Sequence, residues 1–162
     1  MIAAVPVVSY PYGNNAIDFN QNNITPVNFS GFDLSGLDLH SVCLRNAILS
    51  SANLAGTDLS NALLTNANLT GANLSGADLS GVDLSNAILR NANLTGANLR
   101  GASLGKAIMR GADMFKANLE RANLNGADLE GVSLNGVNLT DVTLPGGTRY
   151  SPQMHDKRYK IA

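Results

Sequence analysis

Leucine recurs at every fifth position from Leu34 to Leu104. Met109 and Met114 hold the register, and Leu119 to Leu144 complete it at the same spacing. Upstream, the same slot holds Phe29, Ile24 and Phe19, giving 26 consecutive five-residue units over residues 17–146. The position two before each centre is Ala in 15 units and Val in six. Asn or Asp usually precedes the centre, a small or polar residue follows it, and Gly or Asn often closes the unit. Five matches neither the period of about 3.6 of a helix nor the period of about 2 of a strand. An unbroken strand would send successive leucines to opposite faces, so the chain must turn once per unit. Within a unit the two inward residues lie two apart, as in Ala72 and Leu74, and the closing Gly or Asn supplies the corner. A chain that turns every fifth residue coils, and stacked coils satisfy one another's backbone groups. The pattern predicts a solenoid with short flat sides, filled by one large and one small side chain from each side.

The units Ala67-Asn68-Leu69-Thr70-Gly71 and Ala77-Asp78-Leu79-Ser80-Gly81 resemble the A(D/N)LXX signature of the pentapeptide-repeat family. The resemblance covers residues 17–146 and implies an all-β fold, a right-handed quadrilateral β-helix with four units per coil. The 26 units then make 6.5 coils, roughly 30 Å of stack at the spacing between strands. Asn22, Phe32, Leu37 and Thr57 depart from the pattern by occupying the small inward slot.

Both ends need closing, because an open coil exposes leucines and unpaired edges. Residues 1–16, with Ile2, Val5, Val7, Val8 and Tyr10, form the expected N-terminal cap. After Leu144, Pro145-Gly146-Gly147 breaks the register. Residues 147–162 form the expected C-terminal tail, where Ser151-Pro152 can start a short helix. A cap is the expectation there; a monomer or a homodimer through a coil end both fit.

With 20 residues per coil, residues 20 apart stack in columns. Ile48, Ile88 and Ile108 share a column with Asn28, Asn68 and Asp128, where the family pattern expects Asn or Asp. Leu63 adds an outward apolar residue in the adjacent column, one coil after Cys43, and Phe115 is also expected outward. These five, Ile48, Leu63, Ile88, Ile108 and Phe115, are the candidate partner face. Asp18, Asp38, Asp58 and Asp78 stack as a candidate acidic ladder. Like charges about 5 Å apart raise one another's pKa values, which is the expectation for this ladder.

Composition and charge narrow the function. Leu, Asn, Ala and Gly supply 80 of 162 residues, an alphabet suited to a repeat rather than to an enzyme domain. The net charge of −1 argues against direct nucleic-acid binding. It conceals −5 over residues 17–85, +1 over 86–144 and +3 over 145–162. One cysteine, Cys43, excludes an internal disulfide framework and a cysteine-built zinc site. No run approaches the roughly eighteen apolar residues of a membrane span. Met1 to Val8 lacks a charged n-region, which predicts the cytoplasm, or the periplasm or thylakoid lumen if a leader has been removed. His40 and His155 lack sequence partners for nucleophilic catalysis, and a straight Asp ladder does not wrap a calcium ion. No catalytic, cofactor or metal residue is expected. The column Ser30, Ser50, Thr70, Arg90, Arg110, Glu130 is too charged to bind ice.

The reading that results is a non-enzymatic scaffold presenting side-chain columns to a protein partner. The family resemblance implies an alternative, since some members mimic DNA and bind DNA gyrase, protecting it from quinolones. The Asp ladder supports that alternative; the near-neutral charge and the lack of an interrupting loop oppose it.

Overall fold

The computed structural model describes residues 26–151. The expected N-terminal cap, Asp18, Asn22, His155 and all but the first residue of the expected C-terminal helix lie outside them.

Each unit runs extended for three residues and then turns. In residues 67–71, Ala67 and Leu69 are fully buried while Asn68 between them faces outward, half-buried. The Ala72 N–H donates to the Leu69 carbonyl at 3.0 Å, and Gly71, third in this four-residue turn, has a φ of +66°. Positive φ at that place marks a type II turn. It recurs at every corner from Gly31 to Asp141, and eleven of these corner residues are not glycine. Asn46, Asn61, Asn66, Asn86 and Asn91 suit the left-handed conformation, whereas Lys106, Lys116 and Arg121 are unusual there.

Coils stack in parallel: the Leu69 N–H donates to the Ile88 carbonyl at 2.7 Å, and the Asn68 N–H to the Ala47 carbonyl at 2.9 Å. Bridges join residues 20 apart and define four sides. Side one carries Asn28, Ile48, Asn68, Ile88, Ile108 and Asp128, and side two Asp33, Asn53, Asn73, Asn93 and Asp113. Side three carries Asp38, Asp58, Asp78, Asn98, Asn118 and Asn138, and side four Cys43, Leu63, Asp83, Ser103, Asn123 and Thr143. A corner arrives before a second residue on a side can be bridged, so the fold is β-helical without long strands.

The leucine and alanine ladders form one continuous core from Leu34 to Leu144. Burying each leucine stabilises the coil by roughly 1.5–3 kcal/mol. Thr57, in an alanine slot, is fully buried, and its hydroxyl donates to the Leu34 carbonyl at 2.9 Å. Phe32 and Leu37 occupy the same slot at the N-terminal end but are 42% and 37% exposed. The space that alanine fills elsewhere does not take their bulk; Phe32 instead packs edge-on against Phe29, centroids 5.8 Å apart. Cys43, expected outward, is buried.

After Leu144 the chain reverses. Gly147, at φ +78°, makes the bend, Thr143 and Arg149 form an antiparallel bridge, and the Tyr150 N–H donates to the Val142 carbonyl at 2.8 Å. Residues 148–150 thus line the edge of side four, and Tyr150 packs against the core.

Side two has a gap. Its bridges stop at Asp113, and among the described residues Ser133 has none. The coil-to-coil bonds that column mates of Gly111, Met114, Lys116 and Ser133 donate are missing at these four residues. Phe115 stands beside the gap and places a ring where the column otherwise holds Ser35, Ala55, Ser75, Thr95 and Asn135. That ring lies beside Gly136 of the next coil, where a Cβ would be 3.7 Å from it.

Candidate interaction surface

The outward slot before each leucine determines the surface. On sides two and three it carries amide ladders. Asn53, Asn73 and Asn93 donate in turn to Asp33, Asn53 and Asn73 at 3.0–3.3 Å. Asn98, Asn118 and Asn138 donate to Asp78, Asn98 and Asn118 at 2.9–3.3 Å. Each ladder therefore ends on a carboxylate. The side-chain oxygen of each rung also accepts the backbone N–H two residues on, as Thr95 N–H to Asn93 at 3.0 Å, which fixes the rotamer. Twenty-residue spacing of Asn in the sequence was the available signal for these ladders.

Side one departs from this chemistry. Ile48, Ile88 and Ile108 fill the slot, half-buried, with Ile88 and Ile108 directly bridged. Leu63 lies across one corner on side four, also half-buried. Phe115, 53% exposed, sits at the far corner, after side two, with the Lys116 ammonium 5.3 Å from its ring centroid. The three isoleucines thus share one side with Leu63 adjacent, and Phe115 belongs to a different surface.

The acidic ladder is present on side three as Asp38, Asp58 and Asp78. Its carboxylates accept the backbone N–H groups of His40, Ser60 and Ser80 at 3.1, 2.9 and 2.9 Å. The expected rise in pKa is overturned at Asp58. The Ser60 hydroxyl, donating at 2.6 Å, and then the Ser60 N–H hold its carboxyl below the ordinary value; desolvation opposes them and His40 adds a smaller lowering. Asp33 and Asp83 are lowered too. Ser35 dominates at Asp33, while at Asp83 burial is the largest influence and acts upward, outweighed by Ser85, Thr65 and Arg45 together.

Ion pairs occupy the corners of the C-terminal coils. Arg110 contacts Asp128 at 2.5 Å and Glu130 at 2.6 Å; hydrogen bonding to Arg110 lowers the Asp128 pKa, and Asp128 raises that of Arg110. Glu120 meets Arg100 at 3.4 Å and Arg121 at 3.6 Å.

His40, without partners in the sequence, gains them from the coil. Its Nδ1 lies 2.8 Å from the Ser60 hydroxyl, and its Nε2 is 3.0 Å from that of Ser41. The nearby N–H groups are engaged, Ser41 with the Ser60 carbonyl and Val42 with the Leu39 carbonyl, so neither is available to an oxyanion. Among the described residues no three His, Cys, Asp or Glu side chains gather as metal ligands, and no helix is long and apolar enough to cross a membrane.

The family model described as pentapeptide repeats matches residues 16–50, 47–86, 77–114 and 112–146. No curated protein matches the chain. Among solved structures, a pentapeptide repeat protein from the Arabidopsis thaliana thylakoid lumen is 38% identical with a TM-score of 0.59, over 60% of this chain and 68% of its own. A pentapeptide repeat protein from Nostoc is 35% identical with a TM-score of 0.55, over 70% of this chain and 98% of its own. QnrB1, a plasmid-mediated fluoroquinolone resistance protein, is 22% identical with a TM-score of 0.41, over 72% of this chain and 78% of its own, too distant to inform function.

Proposed function

The chain belongs to the pentapeptide repeat family, and we propose that it is a non-enzymatic scaffold that presents side one of a rigid, right-handed β-helix to a protein partner. In this reading the helix spans residues 17–146 as 6.5 coils, with 1–16 and 147–162 closing its ends. The return of residues 148–150 along side four supports the second closure. The scaffold acts as a monomer or as a homodimer through a coil end, in the cytoplasm; the luminal Arabidopsis neighbour makes the thylakoid lumen the alternative compartment.

The isoleucine column is the observation that carries the reading. Ile48, Ile88 and Ile108 replace the amide ladder that occupies the same slot on sides two and three. The replacement offers apolar area on a flat, rigid surface, the kind of patch that serves association. Leu63 extends it around one corner, whereas Phe115 would serve a separate contact. The test is partner capture from the source lysate by the parent and by an Ile48/Ile88/Ile108→Asp variant. Loss of a specific partner with an unchanged circular dichroism spectrum is expected; equal capture by both proteins removes side one from the proposal.

The alternative, DNA mimicry directed at gyrase, has Asp38, Asp58 and Asp78 in its favour. After Asp78 the ladder turns to neutral Asn98, and Asp38, Asp58 and Asp78 are each already engaged by backbone donors. Unchanged gyrase supercoiling and unchanged quinolone inhibition in the presence of the protein would dispose of it.

A further inference from the structure

We propose that the corner between sides four and one holds a binding notch for a small phosphate-type oxyanion, with Lys106 as its charged anchor. The notch has a volume of about 290 Å³ and is lined by Ser85, Asn86, Gly105, Lys106, Asn123 and Asn125. It exists because Gly105 interrupts a column that otherwise carries Arg45, Thr65, Ser85, Asn125 and Pro145. The backbone does not demand glycine there. Gly105 has no left-handed φ, and a Cβ would meet nothing nearer than the Asn125 carbonyl at 3.7 Å. Lys106, by contrast, holds a φ of +59°, in the column where Asn46, Asn66 and Asn86 stand.

The donors around the notch are unspent. Elsewhere on the coil, the amide nitrogens of Asn53, Asn66, Asn73 and Asn98 donate along ladders. Those of Asn86, Asn123 and Asn125 donate to no group among the described residues, and Lys106 forms no ion pair there. Ser85, Asn86, Lys106, Asn123 and Asn125 therefore line a shared, open concavity that has no carboxylate in its lining. The nearest acid on side four, Asp83, is held by the Thr65 hydroxyl of the preceding coil and by the Ser85 N–H, both at 3.0 Å. Asp128 on side one is engaged by Arg110. A donor-rich, positively charged pocket suits an oxyanion with several acceptor lone pairs. Its volume lies at the lower end for small-molecule sites, so a phosphate monoester fits as well as the free ion.

The test is a ¹⁵N NMR titration of the full chain with inorganic phosphate and with glycerol 3-phosphate at constant ionic strength, and with glycerol as a neutral control. Saturable shifts at residues 85–86, 105–106 and 123–125 are expected with both phosphates. The stronger of the two identifies free ion or ester as the ligand. Lys106→Gly should fold at least as well as the parent, because glycine takes the left-handed corner freely, yet bind about tenfold more weakly through loss of the charge-assisted contact. Gly105→Ala puts a methyl group into the notch without strain and should also weaken binding. Linear shifts with both phosphates, equal affinity in Lys106→Gly, or the same shifts with glycerol would each overturn the proposal.

Discussion

Alanine at two glycine corners separates backbone strain from crowding. At Gly76, φ is +64° and a Cβ would meet no heavy atom within 4 Å. Gly76→Ala therefore adds only left-handed strain, about 1–2 kcal/mol. The stiffer unfolded chain offsets about 0.4–1 kcal/mol of that, which leaves a destabilisation of about 1 kcal/mol. Gly81 has nearly the same φ, +66°, but its Cβ would stand 2.6 Å from Asn61 Oδ1. The Asn61 side chain is exposed, so it can swing aside at an off-rotamer cost of about 0.5–1.5 kcal/mol. Gly81→Ala should then cost about 2 kcal/mol in total. Urea unfolding followed by far-ultraviolet circular dichroism measures both variants against the parent, compared at a common m value. In an Asn61→Gly background the excess cost at Gly81 should vanish, which makes the crowding a measurable coupling. If Gly76→Ala matched the parent, or cost more than Gly81→Ala, the left-handed corner would not be what fixes the turn of each unit.

Other consequences follow from the same geometry. Leu84 is 0% exposed at mid-stack, and Leu84→Ala should lower stability by about 3–5 kcal/mol in the same unfolding assay. Asn118→Ala removes the bond to Asn98, the bond from Asn138 and the acceptor for the Glu120 N–H; a loss of about 1–2 kcal/mol is expected in urea unfolding, against a smaller loss for Asn68→Ala, which sits in no ladder. Asp58 has a folded pKa below its unfolded value, so its contribution is present above the unfolded carboxyl pKa and is lost as pH falls through the folded one. Ser60→Ala should raise the Asp58 pKa in a ¹³C carboxyl titration, and a fall would refute the role given to the hydroxyl. Phe115→Ser should let side two close, slowing amide hydrogen exchange at Met114 and Ser133; unchanged exchange would acquit the ring.

The register of the fold was legible because burial repeats every five residues: each unit named its own large and small inward slots, while the number of sides per coil came from the family resemblance and not from the spacing. Legibility stopped where two side chains in one column have a choice of partners. Asp58 has Asp38 and Asp78 as column mates, which suggested mutual repulsion, yet its nearest donor is Ser60, two residues ahead. The Asp-x-Ser spacing was in the sequence and carried that information, since short polar side chains bond locally to the backbone and hydroxyls near them. His40 shows the converse: Ser60, twenty residues away, is its partner only once the coil is closed. Phe32, Leu37 and Phe115 mark a third limit. Their slots could be read, but whether a slot admits a bulky side chain depends on the thickness of the coil and on the residue opposite. Phe115 accordingly lies beside Gly136 at the gap in side two rather than extending side one.

Isoleucine on side one is informative because the fold itself has little preference for it. An amide ladder needs amides in consecutive coils; Asn68, flanked by Ile48 and Ile88, has no rung above or below and spends its oxygen on Thr70. Restoring a ladder there would add bonds of about 0.5–1.5 kcal/mol each, net of water. Against that stands the cross-coil packing of β-branched pairs such as Ile88 with Ile108, about 0.2–1 kcal/mol each. The two chemistries nearly cancel, so stability does not dictate which one side one displays. What differs is the face shown to a partner: sides two and three present amides already bound to one another, whereas side one presents apolar area that water leaves readily. A surface on which the fold is nearly indifferent can be shaped by recognition at little structural cost, and that is the physical ground for proposing side one as the partner surface.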